Sequence, residues 1–512
     1  MTIKTLDLTL LTCLLSMVAN SAFGQSEQPN IIYIYADDLG YGELGVYGQE
    51  KIETPNIDKL AEDGIRFTQH YTGAPVCAPA RSILLTGLHS GHTPIRGNDE
   101  WTERGDVWNY RAQINDSTLE GQKPLPEETT TLAEILKQAG YKTGAVGKWG
   151  LGAPHTNGIP TKQGFNYFFG YNCQRQAHTY YPVHLYENDH RVYLDNDTVP
   201  PHTKLEEGAD PYAESSYSPF QLTDYAPDLM YEKLEEFIQK SGSAPFFLYW
   251  ATPIPHVPIQ APEKWVNYYV EKFGDEEPYS GDQDYFPHRY PRAGYAAMIS
   301  YLDERVGQLV RKLKDQGLYE NTLIIFSSDN GPTFNGGADT QWFNSAGPFD
   351  SDRGRGKGFL HEGGIRVPMI AAWPGKIDPG TVSDHVSAQY DVLPTLCDVA
   401  GAKIPEKTDG ISFLPELLNK KQPEHEYLYW EFPEFGGQLA VRIDQFKILA
   451  KDILKNHELN FEVYNLRKDP GEKNNIADKH PELIEEAKKI IEKEHTTPEN
   501  EKWRFGEVVQ GL

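Results

Sequence analysis

Cysteine is scarce in this chain, with four residues in 512. Cys13 lies in the N-terminal apolar stretch, which leaves Cys77, Cys173 and Cys397 in the mature chain. Three widely spaced cysteines exclude a disulfide scaffold and flag a thiol with a task of its own. A Cys173–Cys397 bridge stays open, because sequence does not set the separation it needs. Positive charge is scarce as well: 48 Lys and Arg stand against 74 Asp and Glu, for a formal net charge of −26. That balance argues against nucleic acid and against an anionic membrane surface as partners. An anionic substrate must then be met by cations gathered locally. Long apolar runs are few too. The stretch from about Leu8 to Val18 is too short to span a bilayer with comfort. Lys4 precedes it and Ala22-Phe23-Gly24 follows it, so residues 1–24 read as a signal peptide. The mature protein is therefore expected to be secreted or periplasmic, with a lipid anchor at Cys13 the weaker alternative.

What remains is ordinary globular texture, 39% apolar and 24% charged. Its length exceeds what one core usually supports, so a large domain over 25–415 and a smaller α+β unit over 416–512 are expected. Asn30–Ala36, Thr143–Val146, Phe246–Ala251 and Leu323–Phe326 are short, apolar runs of the kind buried on both faces of a parallel sheet. Helical patterns separate them, near 131–138, 227–239 and 302–313. Such alternation predicts an α/β sheet wrapped by helices, whose active site lies beyond the carboxyl ends of the strands. Asp37, Asp38, Lys148, His256, Asp329 and Asn330 all fall just after predicted strands. From about Asn335 to Gly364 periodicity fades and glycine is frequent, the mark of a functional loop, and Arg353 and Lys357 lie in it.

Asp37-Asp38 and Asp329-Asn330 offer hard oxygen donors, which suit Ca²⁺ or Mg²⁺ and not zinc. Calcium is preferred for its tolerance of irregular, carboxylate-rich cages. Cys77 sits in Cys77-Ala78-Pro79-Ala80-Arg81-Ser82. Pro79 suits a first helical turn, which would put the cysteine just ahead of a helix N-terminus, with free N–H donors and a positive dipole end. A thiolate nucleophile competes as a reading, since such a terminus lowers a thiol pKa. Against it, thiol phosphatases carry their arginine six residues after the cysteine, and here the interval is four.

The pattern Cys-x-Pro-x-Arg resembles the signature of type I sulfatases, members of the alkaline-phosphatase superfamily in which the cysteine is oxidised to formylglycine. Ala36-Asp37-Asp38-Leu39-Gly40, Gly147-Lys148-Trp149, Ser328-Asp329-Asn330-Gly331, Lys357-Gly358 and Tyr464-Asn465-Leu466 are similar to that family's landmarks, in its order. The resemblance implies an alkaline-phosphatase-like mixed α/β sheet flanked by helices, a small C-terminal domain, and a maturation enzyme that makes the formylglycine. It further implies a cation held by Asp37, Asp38, Asp329, Asn330 and modified Cys77. Arg81 would steady the aldehyde hydrate, Lys148 and Lys357 would bind sulfate oxygens, and His256 would protonate the leaving oxygen. One hydrate hydroxyl attacks sulfur, and deprotonation of the other later expels sulfate. The chain departs from the family at Gly150, where many members carry a histidine that contacts the hydrate, and at Ala80, where serine is commoner. His155 is the candidate replacement for that histidine.

Arg96, Arg175, His178 and Arg353 are the expected specificity pocket, since donors mixed with rings suit sugar hydroxyls and faces. The wording around Arg175 is similar to sulfatases acting on sulfated galactose or N-acetylgalactosamine, and a 4-sulfate is the expectation. The rival readings are a phosphomonoester or phosphonate hydrolase on the same fold, and a glycan-binding protein that is never oxidised.

Overall fold

Residues Asn30–Ala36 form β1, buried at every position, in a computed structural model that describes residues 28–510. The signal-peptide expectation and Cys13 lie outside the described residues. Along the chain follow α1 (Pro55–Glu62), β2 (Ile65–Phe67), α2 (Cys77–Thr86), α3 (Leu132–Gln138), β3 (Lys142–Lys148), β4 (Tyr167–Tyr171), β5 (His184–Glu187) and β6 (His190–Tyr193). Then come α4 (Ala226–Ser241), β7 (Phe246–Ala251), α5 (Pro291–Asp315), β8 (Thr322–Ser328), β9 (Met369–Ala372), β10 (Thr381–Ser383) and α6 (Val392–Ala400). The ten strands make one sheet in the order β10-β2-β9-β8-β1-β7-β3-β4-β5-β6. Its centre, β8 through β4, is parallel, while β9 against β8 and β5 against β4 run antiparallel. The sheet is therefore mixed, as the sequence resemblance implies.

Strand periodicity explains why the central runs are apolar throughout. Ile32 and Ile34 of β1 enter the core beneath α1, α4 and α5, whereas Ile31, Tyr33 and Tyr35 enter the opposite core beneath α2, α3 and α6. Thr131 caps α3 by accepting from the Glu134 N–H while the Glu134 carboxylate accepts from the Thr131 N–H. Among the described residues no helix is long and apolar enough to cross a membrane.

The smaller unit is an antiparallel meander of β11 (Leu428–Phe432), β12 (Gln438–Ile443), β13 (Phe446–Ala450) and β14 (Phe461–Asn465). Helix α7 (Pro481–Glu494) covers one face with Ala487, Ile490 and Ile491. The other face, with Leu428, Trp430 and Phe432, packs on Ala80 and Ile83 of α2. Trp430 Nε1 also donates to the Thr72 carbonyl (2.8 Å), and Thr72 Oγ1 donates to the Asp329 carbonyl (2.5 Å). Ala80 thus sits where a small side chain lets the second domain close on the helix that bears Cys77.

Candidate active site

Register creates the site. Ala36 and Ser328, the last residues of β1 and β8, are partners in the ladder, so the two acidic pairs leave the sheet side by side. The Asp38 N–H donates to Asp329 Oδ1 (3.0 Å), and Asn330 Nδ2 donates to Asp38 Oδ1 (2.7 Å). Lys148 ends β3, and Gly147 before it is required for close approach. Its φ is +120°, and a Cβ there would lie 1.9 Å from the Ala251 carbonyl of β7. His256 follows β7 in a loop pinned by Tyr180, whose hydroxyl lies 2.6 and 2.7 Å from the Pro253 and His256 carbonyl oxygens.

Cys77 is the first residue of α2, with Val76 as its N-cap, rather than the residue ahead of the helix that Pro79 suggested. Pro79 is the third helical residue, still within the turn whose N–H groups lack intrahelical partners. The Cys77 thiol lies 3.2 Å from Asp37 Oδ1 and 4.0 Å from Asp38 Oδ1. Burial, and then the charge of Asp37, push the thiol well above its ordinary range. This is the reverse of the lowering expected of a helix N-terminus, so the thiolate nucleophile loses its support.

Three cations face the carboxylates, Arg81 and Lys148 fully buried and Lys357 mostly so. Lys148 Nζ lies 2.6 Å from Asp37 Oδ2 and Lys357 Nζ 2.7 Å from Asp38 Oδ2. Arg81 Nη2 lies 2.9 Å from Asp329 Oδ2 and 3.5 Å from Asp37 Oδ2, while Nη1 donates to the Lys148 carbonyl (2.7 Å). Burial would raise Asp37, but the charges of Lys148 and Arg81 hold it far below the usual carboxylate range. Asp329 is pushed up to about 7, by burial first and then by Asp37 beside it. A cation would relieve that carboxylate repulsion. Asn330 Oδ1 is buried without a partner among the described residues, a hard donor aimed at nothing else. Asp37, Asp38, Asp329 and Asn330 therefore fit a hard divalent ion.

His256 Nδ1 donates to its neighbour's carbonyl, Val257 O (2.5 Å), which leaves Nε2 facing the site 3.7 Å from Asp38 Oδ2. The His178 ring stacks on it at 5.5 Å between centroids. From here a cavity of about 260 Å³ opens outward, with Lys357, His256, His178 and Arg175 in its wall. Arg353 is exposed above the Phe334 ring, which lines the same cavity.

Two expected site residues lie elsewhere. Arg96 is a buried interdomain tie. It pairs with Glu431 of β11 and donates to the Gly91 and Thr496 carbonyls, so it has no free donor for a sugar. His155 is exposed and bonded to Ser117 Oγ (2.9 Å), which removes it as the stand-in for the histidine missing at Gly150. The space beyond Gly150 is filled by Gln174, whose Oε1 lies 3.0 Å from where a Cβ would be. Sequence reading missed Gln174, Glu100, Trp108 and Phe435, all in the cavity wall. Gly436-Gly437 after Phe435 signals a turn, but no motif marks the other three.

Cys173 and Cys397 are separate, buried thiols. A second group of metal-ligand type, His89, His92 and Asp409, is already satisfied. The Gly91 N–H donates to His89 Nδ1 (3.1 Å), which leaves the ring proton on Nε2 for Glu494 (3.0 Å). His92 bonds Asp409 at 3.0 Å. These four residues are a hydrogen-bonded clasp between the domains.

Comparison with known proteins agrees with this geometry. The sulfatase family pattern matches residues 29–402, and the pattern described as N-sulphoglucosamine sulphohydrolase, C-terminal, matches residues 354–497. Arylsulfatase A of Homo sapiens is 32% identical, over 93% of this chain and 89% of its own. The N-acetylgalactosamine-6-O-sulfatase of Bacteroides thetaiotaomicron is 30% identical, over 91% of this chain and 93% of its own. Among solved structures, Ps i-CgsB in complex with k-i-k-neocarrahexaose has a TM-score of 0.71 at 26% identity, covering 92% of this chain and 94% of that one. A pattern match across most of the sequence, relatives of that identity over nine-tenths of it, and an acidic cage around a Cys-x-Pro-x-Arg cysteine place the chain in the sulfatase family, the hydrolases of sulfuric esters.

Proposed function

We propose that this sulfatase removes sulfate from a sulfated sugar of galactose or N-acetylgalactosamine type, with Cys77 converted to formylglycine. A hard cation, Ca²⁺ ahead of Mg²⁺, would be held by Asp37, Asp38, Asp329, Asn330 and residue 77. One observation carries this reading: strand register brings both acidic pairs to a buried cysteine ringed by Arg81, Lys148 and Lys357. Together the formylglycine hydrate and the cation would supply an oxygen nucleophile for sulfur and an internal route for releasing sulfate. Lys148 and Lys357 bind the ester's sulfate oxygens, their charges strengthened by burial. Arg81, anchored by Asp329, fixes residue 77 at the start of α2. His256 presents Nε2 for proton transfer to the leaving oxygen.

Cys77 is fully buried, so a maturation enzyme would have to oxidise it before the chain closes around it. Cleavage after residue 24 would deliver the protein to the periplasm or outside the cell. The sequence wording points to O4 of the sugar, whereas the relatives named for N-acetylgalactosamine-6-sulfate weigh toward O6. The test is sulfate release from galactose and N-acetylgalactosamine carrying a single sulfate at O4 or O6, by the wild type and by Cys77→Ala. The wild type is expected to release sulfate from at least one of them, and Cys77→Ala to release none while keeping its thermal transition. Turnover by Cys77→Ala would contradict the nucleophile.

A further inference from the structure

The cavity outside the sulfate-binding lysines has features that sulfate chemistry does not require. Trp108 and Phe435 are large apolar side chains left 53% and 51% exposed, and both line this cavity. Exposed rings gathered at one pocket mark a contact surface. Phe435 is held there at a cost: its φ is +52°, a conformation bulky residues avoid, and Gly436 and Gly437 after it also have positive φ. The hairpin between β11 and β12 thus carries an aromatic ring from the small domain over Gly358, beside the sulfate-binding Lys357. Trp108 is steadied from behind by Arg175, which donates to the Trp108 carbonyl (2.9 Å) and lies 4.7 Å from its ring.

The same cavity wall carries buried acceptors in want of donors. Glu100 is 4% exposed. Its Oε1 accepts from Gln122 (2.6 Å), and its Oε2 has no partner among the described residues. Gln174, 7% exposed, leaves Oε1 unpartnered beside Gly150. An unpartnered buried acceptor costs free energy unless a ligand supplies a donor. Glu434 adds a second carboxyl to the same wall, with Oε1 already accepting from the Asn98 N–H (2.9 Å).

Resting on the sulfatase reading above, we infer that Trp108, Phe435, Glu100 and Gln174 form the specificity subsite, and that it takes a pyranose ring bearing one sulfate and otherwise neutral hydroxyl or amide groups. The rings stack on the apolar face of the sugar, and the two orphan acceptors take its O–H or N–H groups. The Glu100 and Glu434 carboxyls on that wall disfavour a second sulfate or a uronate placed against them, since neither offers it a cation. Arg175 supplies a donor, Nε, for a sugar oxygen.

Equilibrium binding to the Cys77→Ala protein tests this independently of turnover. The probes are N-acetylgalactosamine 6-sulfate, its 4,6-disulfate, galactose 6-sulfate and inorganic sulfate. Added Trp108→Ala or Phe435→Ala is expected to weaken the single-sulfate sugars about tenfold or more and leave inorganic sulfate unchanged, while Phe435→Tyr in place of Phe435→Ala should keep the wild-type affinity. The disulfate should bind more weakly than either single-sulfate sugar, and Glu100→Gln should narrow that gap. Unchanged sugar binding in both aromatic variants, a parallel loss of inorganic sulfate that Phe435→Tyr does not rescue, or a disulfate that binds as well would each overturn the subsite. If the sugars bind as expected and the wild type releases no sulfate from them, the proposed function fails while the subsite stands.

Discussion

His256 shows how much one side chain's surroundings decide. Burial first, and then the charges of Lys357 and Lys148, hold its imidazole well below the ordinary range, so it rests neutral with Nε2 free. In the proposed reaction, an anionic ester lodged between those lysines would offset their charge and let the ring carry a proton to the leaving oxygen. His256→Ala is therefore expected to cost about 100-fold or more in kcat/KM on sugar sulfates. Aryl sulfates, whose leaving groups need little protonation, should lose much less. Equal losses on both would contradict the acid role. At this scale the sequence was informative wherever a residue ended or followed a strand inside a short motif, as Asp37, Lys148 and Asp329 do. It was silent on Trp108, Glu100 and Gln174, which reach the cavity through long-range packing that no local pattern records.

Among elements, β1, β7 and β8 were readable because strands buried on both faces must be apolar at every position. Strands β5 and β6 were not: β6 is the edge strand, with His190 and Tyr193 exposed and no periodic pattern imposed, and β5 beside it is only four residues long. Strand β13 was missed because Asp444-Gln445, with Asp444 at positive φ, turns the chain without the glycine that usually signals a hairpin. The β3–β7 contact carries the prediction at this level. Gly147→Ala would drive a Cβ into the Ala251 backbone at a φ alanine resists, costing about 3 kcal/mol or more. Chemical denaturation should show that loss, and a shift under about 0.5 kcal/mol, the scale of a surface substitution, would contradict the packing.

Across the whole molecule, the small domain completes the site: it seats Trp430 under Thr72, packs on α2 and brings Phe435 to the cavity. The histidine clasp makes that docking sensitive to pH. Burial would lower His92, but its bond to Asp409 outweighs this and raises it. Burial would raise Asp409, but His92 and His89 hold it low, and the bond from His89 holds Glu494 far below its usual range. The raised histidine contributes fully below its unfolded value, about 6.5, and that contribution fades as pH rises through the folded value. The lowered carboxylates contribute above about 4, and theirs fades as pH falls. The clasp should therefore stabilise most between about pH 4.5 and 6.5. Thermal melts of the wild type and His92→Ala across pH would show their widest gap in that window, and a gap independent of pH would contradict the clasp.

Every scale converges on residue 77, so the most direct measurement is the mass of the tryptic peptide Phe67–Arg81 from active enzyme. Formylglycine at position 77 predicts a peptide lighter by one H₂S and heavier by one oxygen. A fully active preparation whose peptide carries only unmodified cysteine would contradict the account.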